Sequence, residues 1–235
     1  MNSPVRYGIA AAAVLVLALI GYQLLPSSTG SGSGGTPVPT TPAASAAPLP
    51  PSGPIDAGTY RMGSGPTFLV TVPSGWVSRG DEGIRKNPDG PDEVALDVYP
   101  AELRVFADAC DSESTEEPIG PSADDLVAAL LAQENSDISE PADVTIGGLP
   151  GTRLEISAPA GLDVNECSIG SLQIWVDSGG TNYLAGVGGE DVPVVTVYIA
   201  DTPGGRLAFA PHHGDATAAD IAELDAVIAS IGIVE

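Results

Sequence analysis

Two apolar runs separated by a short turn occupy residues 194–210, VVTVYIADTPGGRLAFA. The first run is rich in β-branched and aromatic residues, which favour strands. The segment 201–205 between the runs consists of Asp, Thr, Pro and Gly, and three of these residue types dominate turns. The pattern therefore predicts two strands, 194–199 and 207–210, joined as a hairpin.

Similar short runs precede this hairpin along the chain. The clearest is EVALDVY, residues 93–99, in which Val and Leu alternate with Glu93 and Asp97. Such alternation predicts a half-buried strand. We expect it to pair with a strand at 103–107, which follows the break at Pro100. The other predicted strands cover residues 68–72, 153–157, 172–176 and 183–185.

Two amphipathic segments predict helices that cover the sheet. Ser122 and Thr217 each stand three residues before an Asp, in the pattern of a capping box. Apolar residues follow each of them at helical spacing. Strands interrupted by one helix and closed by a second predict an α+β fold, a mostly antiparallel sheet whose one covered face packs against two helices.

The first 54 residues differ in composition from the rest of the chain. Residues 7–25 are uncharged and long enough to span a lipid bilayer, so they predict a transmembrane helix. Arg6 predicts that the short segment 1–6 stays in the cytoplasm. Residues 26–54 contain 8 Pro, 5 Gly, 6 Ser and 4 Thr without any charge, which is typical of a disordered stalk. Residues 55–235 then form one extracytoplasmic domain, tethered to the cell membrane.

The alternative for residues 7–25 is a signal peptide. Its cleavage would release a secreted protein. Bulky residues follow the apolar run directly, in the segment GYQLL at 21–25, where a cleavage site needs small residues. The sequence therefore favours the uncleaved anchor.

The chain is strongly acidic, with 31 Asp and Glu against 8 Lys and Arg and a net charge of −23. Arg6 is the only charged side chain before residue 55, so the outer domain carries this charge. Nucleic acid binding requires a basic surface, and the composition excludes it.

Cys110 and Cys167 are the only cysteines. Because the predicted topology places both outside the membrane, where disulfides persist, we expect them to form a structural disulfide. Closing a loop of this length would remove about 4 kcal/mol of entropy from the unfolded chain.

Few groups in the sequence could carry out chemistry. The acidic loop 108–117 lacks the Gly and Glu of an EF-hand, and two adjacent histidines need a third ligand to bind a metal. The weak candidates for metal ligands are Asp108, Asp111, Glu113, His212 and His213. We therefore predict no metal site, no cofactor and no catalytic residue, and a module that binds an unknown protein or small molecule outside the membrane. The alternative is an envelope hydrolase or metal-dependent enzyme in which the acidic loop and both histidines converge on one cleft.

Five segments follow one another along the chain. The first carries a cysteine and a helix, the second a hairpin, the third a second cysteine, the fourth the hairpin described above and the fifth the closing helix. They are VFADACDSESTEEPIGPSADDLVAALLAQ, ADVTIGGLPGTRLEISAP, DVNECSIGSLQIW, TVYIADTPGGRLAF and ATAADIAELDAVIASIGI. This order resembles an extracytoplasmic domain of high-GC bacteria that has no established function. The earlier VTVPSGW and the closing helix resemble the PsbP-like α/β sandwich. The resemblance implies a fold and supplies no site residues.

Overall fold

The computed structural model describes residues 46–63, 66–88, 90–114, 119–177, 180, 183–188 and 193–233. The chain divides into two units, Met1–Ala43 and Ala44–Glu235, and all of these residues belong to the second. The predicted cytoplasmic segment 1–6, the predicted transmembrane helix 7–25 and the stalk up to residue 45 lie outside the described residues. Within the described part, no helix is both long and apolar enough to span a bilayer.

Sixteen strands and two α-helices lie within the described residues. The strands are β1 Ala47–Pro48, β2 Gly53–Pro54, β3 Gly58–Met62, β4 Phe68–Val72, β5 Trp76–Ser78, β6 Gly83–Lys86, β7 Val94–Tyr99, β8 Leu103–Val105, β9 Asp137–Ile138, β10 Ala142–Ile146, β11 Leu149–Ser157, β12 Leu172–Asp177, β13 Tyr183–Val187, β14 Val194–Thr202, β15 Gly205–His213 and β16 Gly232–Ile233. The helices are α1 Ala123–Leu131 and α2 Ala218–Ala229, and short 3₁₀ turns occupy Gly80–Glu82 and Val164–Glu166.

These strands form three sheets within the described residues. The main sheet has nine strands in the order β10-β11-β14-β15-β7-β6-β5-β2, with β9 also paired to β11. A four-stranded sheet has the order β1-β3-β4-β16, and a three-stranded sheet has the order β13-β12-β8. Only the β1–β3 pair of strands is parallel in this part of the chain. The predicted α+β class with mostly antiparallel pairing is confirmed.

The predicted hairpin is present and is longer than the sequence indicated. β14 and β15 pair from Tyr198 opposite Phe209 to Thr202 opposite Gly205. The strands extend into the polar residues because Asp201 and Arg206 stand opposite each other and both contact the start of α1. At its other end β15 continues through His212, which brings this residue into the sheet.

The main sheet is covered on both faces, whereas the sequence predicted one covered face. On one face α1 and the three-stranded sheet enclose a core that includes Val195 and Val197. On the other face α2 and the four-stranded sheet enclose a second core that includes Ala200 and Phe209. The prediction failed because β14 carries apolar side chains on both of its faces, which alternation alone does not reveal.

The predicted pairing of β7 with the following strand is wrong. β7 lies between β6 and β15, and β8 instead pairs with β12 in the three-stranded sheet. The chain leaves the main sheet after Tyr99, and the apolar side chains of Leu103 and Val105 are buried in the core beneath α1. This burial directs β8 away from β7.

The predicted boundary between stalk and domain, at residues 54 and 55, is also wrong. β1 pairs with β3 and β2 pairs with β5, and the Leu49 amide donates to the Arg61 carbonyl at 2.9 Å. The Leu49 side chain packs against the core beneath α2, and the Ser78 hydroxyl donates to the Pro50 carbonyl. Prolines lack an amide proton but their carbonyls still accept, so a Pro-rich segment can line the edge of a sheet.

Both helices begin where their capping residues predict. The Ser122 hydroxyl accepts from the Asp125 amide at 3.1 Å, and the Asp125 carboxylate accepts from the Ser122 amide at 3.0 Å. The Thr217 hydroxyl accepts from the Asp220 amide at 3.2 Å.

Polar contacts fix α2 on the main sheet. Lys86 on β6 forms ion pairs with Asp220 at 2.8 Å and with Glu223 at 3.1 Å. The buried Trp76 indole donates to the same Glu223 carboxylate at 2.6 Å. The hydrogen bond to Asp220 raises the pKa of Lys86. These contacts therefore fix the position of α2 against β5 and β6.

Candidate functional site

Four ionisable side chains meet on the face of the main sheet that α1 covers. Ala95, in the middle of β7, lies opposite Arg85 on β6 and opposite His212 on β15. Glu93 and Asp97 flank Ala95 at two positions on either side, and successive side chains of a strand alternate between faces. Arg85, Glu93, Asp97 and His212 therefore share one face, and we call these four residues the ring.

Arg85 and His212 each contact both carboxylates of the ring. Arg85 Nη1 lies 2.9 Å from Glu93 Oε1, and Arg85 Nη2 lies 3.3 Å from Asp97 Oδ1. His212 Nε2 lies 3.5 Å from Glu93 Oε1, and His212 Nδ1 lies 3.4 Å from Asp97 Oδ2. The small side chain of Ala95 leaves space for these contacts. The result is a closed cycle in which acids and bases alternate.

The ring is largely withdrawn from solvent. Its side chains are between 17% and 23% exposed. Burial raises the pKa of Asp97, the nearby His212 and Arg85 lower it, and the negative charge of Glu93 raises it, with a net upward shift. Tyr99, two residues along β7, is buried as well, and burial followed by the charge of Asp97 raises the pKa of its hydroxyl.

Gly83 makes room for Asp97 on the neighbouring strand. It lies opposite Asp97 with a φ of 135°, a conformation that favours glycine. A Cβ atom at this position would lie 2.1 Å from the Leu96 carbonyl oxygen. Any other residue would therefore displace β7 beneath the ring.

His213 lies on the opposite face of the sheet from His212. It pairs with Val94, and its Nδ1 lies 3.0 Å from the Gly214 carbonyl oxygen. This face borders a groove of about 410 Å³ between α2 and the strands β11, β14 and β15. The groove is lined by Arg153, Pro193, Val194, Thr196, Tyr198, Pro211, His212, His213, Ile221, Leu224, Asp225 and Ile228.

The groove is apolar along α2 and polar at its borders. Tyr198 stacks on Phe209 with ring centroids 5.0 Å apart, so its ring is held in place. Val194 is 49% exposed, which is high for a large apolar side chain. At the border, Arg153 forms an ion pair of 2.5 Å with Glu155, and the hydrogen bond to Glu155 raises the pKa of Arg153.

In the acidic loop, two carboxylates accept hydrogen bonds from backbone amides of the same loop. Asp108 Oδ1 accepts from the Cys110 amide at 2.8 Å and from Asn135 Nδ2 at 2.9 Å. Asp111 Oδ1 accepts from the Glu113 amide at 2.9 Å. Residues 115–118 of this loop lie outside the described residues.

Of the five residues named from sequence as weak metal-ligand candidates, only His212 belongs to the ring. His212 contacts Glu93 and Asp97, which also bind Arg85, and sequence analysis selected none of these three partners. The alternation in EVALDVY did place Glu93 and Asp97 on one face. The order of strands around β7, which adds Arg85 and His212, left no signal in the sequence. In the part of the chain that the structure describes, no group of three or more His, Cys, Asp and Glu has the geometry of a metal site.

Cys110 and Cys167 form a disulfide, as predicted, with their Cα atoms 4.6 Å apart. The bridge joins the loop after β8 to the 3₁₀ turn before β12. The Ser168 amide donates to the Cys110 carbonyl at 3.0 Å beside it. The disulfide therefore holds together the end of the domain that carries the acidic loop.

No family model matches the chain, and no curated protein matches it. A comparison with solved structures finds a similarity to the solution structure of cyanobacterial PsbP (CyanoP) from Synechocystis sp. PCC 6803. The TM-score is 0.34 and the sequence identity 13%, over 76% of this chain and 94% of that chain.

Proposed function

We propose that the protein is a non-catalytic binding module of the cell envelope, and that its ligand binds in the groove between α2 and the main sheet. The groove is the observation that carries this proposal. Ligand sites are typically clefts of roughly 300–1,000 Å³, lined by apolar and aromatic side chains with a few polar groups. The groove has this size and this lining.

The lining indicates the class of ligand. Apolar side chains of α2 form one wall, and the rigid Tyr198 ring lies across from them. Arg153 and His213 provide polar contacts at the border. This combination suits a small amphipathic molecule or the apolar side chains of a partner's peptide segment, present outside the membrane.

Anchoring in the membrane and exposure outside the cytoplasm belong to the same proposal. The uncharged segment 7–25 supports the anchor, and the disulfide supports an oxidising compartment. Membership of the PsbP-like sandwich family is likewise proposed from the motifs VTVPSGW and the closing helix.

The contacts of the loop acids support binding over the enzymatic alternative. That alternative needs the loop acids and the histidines in one cleft. Asp108 and Asp111 accept hydrogen bonds from their own loop and from Asn135, whereas His212 contacts Glu93 and Asp97. The imidazole and the loop acids therefore have separate sets of partners.

A neutral apolar dye, N-phenyl-naphthylamine, tests the groove in the full-length protein. The dye carries no charge, so the net charge of the protein does not repel it. We expect saturable binding with one dye per chain and a dissociation constant raised at least tenfold by Val194→Asp.

Ile169→Asp provides the matched control. Ile169 is 48% exposed, as Val194 is 49% exposed, but it does not line the groove. This substitution should leave dye binding unchanged. Equal losses in the two variants, or binding that never saturates, would contradict the proposed site.

The location is tested separately. In intact cells, an external protease should digest the domain, and fractionation should leave the undigested protein in the membrane pellet at its full-length mass. A shortened, soluble form would establish that the segment 7–25 is a cleaved signal peptide.

A further inference from the structure

One carboxylate interrupts the apolar face that α2 presents to the groove. Ile221, Leu224 and Ile228 line the groove, and Asp225 lines it among them. Residues three and four apart share one face of a helix, so Asp225 lies beside Ile221 and Ile228 on this wall. Leu224 is buried, whereas Asp225 is exposed. The wall is therefore apolar apart from one negative charge.

The Asp225 carboxylate forms no hydrogen bond or ion pair with any residue that the structure describes. The other two acids of α2 named above differ in this respect, because Asp220 and Glu223 both bind Lys86, at 2.8 Å and 3.1 Å. Lys86 does not line the groove. The charge of Asp225 is therefore available to a ligand in the groove.

The cation at the groove is already bound to a carboxylate. Among the described lining residues, Arg153 is the only Lys or Arg, and its Nη2 lies 2.5 Å from Glu155 Oε1. Glu155 follows two residues later on β11 and therefore lies on the same face of the sheet. One arginine thus stands against two carboxylates at the groove, those of Glu155 and Asp225.

We propose that the groove binds small amphipathic cations, with an apolar body packed between α2 and the Tyr198 ring and an ammonium group bound to the Asp225 carboxylate. This inference rests on the proposed function, because it names the ligand class of the same groove. An ammonium group donates charge-assisted hydrogen bonds to a carboxylate. A volume of about 410 Å³ suits one small ligand of this kind.

The charge of the whole chain favours the same class of ligand. The net charge is −23, so the surrounding field attracts cations and repels anions. An anionic ligand would approach against this field and would compete with Glu155 for Arg153. A neutral ligand would leave the Asp225 carboxylate without a partner in the filled groove.

Competition against bound N-phenyl-naphthylamine tests the ligand class in the full-length protein. The competitors are 4-phenylbutylamine, 4-phenyl-1-butanol and 4-phenylbutyrate, which share one apolar body and are cationic, neutral and anionic at neutral pH. The dye signal of Val194→Asp is subtracted as binding outside the groove. We expect the amine to displace the dye at a concentration about fivefold lower than the alcohol, which is the upper range for one partly exposed ion pair. The acid should be the weakest competitor.

Two isosteric substitutions separate the local charge from the charge of the whole chain. Asp225→Asn removes the carboxylate at the groove, and Asp124→Asn removes an exposed carboxylate from the first turn of α1, which does not line the groove. Both variants change the net charge equally. Asp225→Asn should raise the amine concentration needed for displacement about fivefold and leave the alcohol unchanged. Asp124→Asn should change neither.

The failure of the cation site is distinguishable from the failure of the groove. If the dye binds saturably but the amine and the alcohol compete equally, or both Asn variants weaken the amine equally, the role of Asp225 is overturned and the groove remains a binding site. Strongest competition by the acid would also overturn that role, in favour of Arg153. If the dye does not bind saturably, the proposed function fails and the cation site fails with it.

Discussion

Arg206 is the most buried charged side chain among the described residues, with 1% exposure. Its Nη1 donates to the carbonyls of Gly120 at 2.7 Å and Ser122 at 3.1 Å, and its Nη2 donates to the carbonyl of Ala101. Its partner across the hairpin, Asp201, accepts from the Ala123 amide at 2.7 Å. This pair of side chains therefore fixes the start of α1 on the turn between β14 and β15.

Arg206→Met should destabilise the domain by about 3 kcal/mol, because three partly buried carbonyls lose their buried charged donor. Urea unfolding followed by tryptophan fluorescence measures this in the full-length protein, since both tryptophans, Trp76 and Trp175, lie in the domain. The control is Arg61→Met, because Arg61 is exposed and its Nη2 donates to the Ala46 carbonyl at 3.5 Å. We expect that variant to stay within about 0.5 kcal/mol of the wild type. Equal effects of the two substitutions would contradict the role of Arg206.

At the same scale, sequence analysis found only part of the candidate site. The histidine pair was noticed because the chain has only these two imidazoles. Alternation along β15 places their side chains on opposite faces, so only His212 enters the ring, although both residues line the groove. The partners of His212 come from strands distant in sequence, and their register depends on pairings that composition and periodicity do not encode.

At the scale of the elements, the local signals were reliable and the long-range ones were not. The capping residues Ser122 and Thr217 and the strand 68–72 were predicted at their observed positions. Strands with weak patterns were missed, among them β6, whose sequence GIRK has two adjacent charges. β6 supplies Arg85, so the missed strand is also the reason that the ring was missed.

The disulfide is the covalent link between two of these elements. Replacing Cys110 and Cys167 together by Ala should cost up to about 4 kcal/mol, because the unfolded chain regains the entropy of a loop of 57 residues. Urea unfolding should show a lower midpoint together with a steeper dependence on urea, since the unlinked chain exposes more surface.

Reduced wild-type protein is the control for this double substitution. It should unfold at the same urea concentration as the variant, and the variant should not respond to the reductant. A variant as stable as the oxidised wild type would show that the bridge adds nothing to the hydrogen bonds beside it, such as that from the Ser168 amide to the Cys110 carbonyl.

At the scale of the whole molecule, the sheet has two cores rather than one. β14 and β7 bury side chains on both of their faces. One unit can therefore contain an apolar interior on each side of the sheet and still carry an acidic surface. The same arrangement separates the two candidate sites. The ring lies on the α1 face and the groove on the α2 face, and β15 is common to both.

The boundary of the domain leads to the last prediction. A chain that begins at Ala46 should unfold at the same urea concentration as the full-length protein, because it keeps β1, β2 and Leu49. A chain that begins at Ile55 should be less stable by about 2 kcal/mol, since it loses the packing of one partly buried Leu and the hydrogen bonds of the edge.

Leu49→Ala in the full-length protein separates packing from chain length. It should cost about 1 kcal/mol, less than the truncation to Ile55, because the pairing of β1 and β2 remains. If the chain from Ile55 were as stable as the chain from Ala46, residues 47–54 would contribute nothing to the fold. The domain would then begin where composition alone places it, and the contacts of Leu49 and Pro50 would have no energetic consequence.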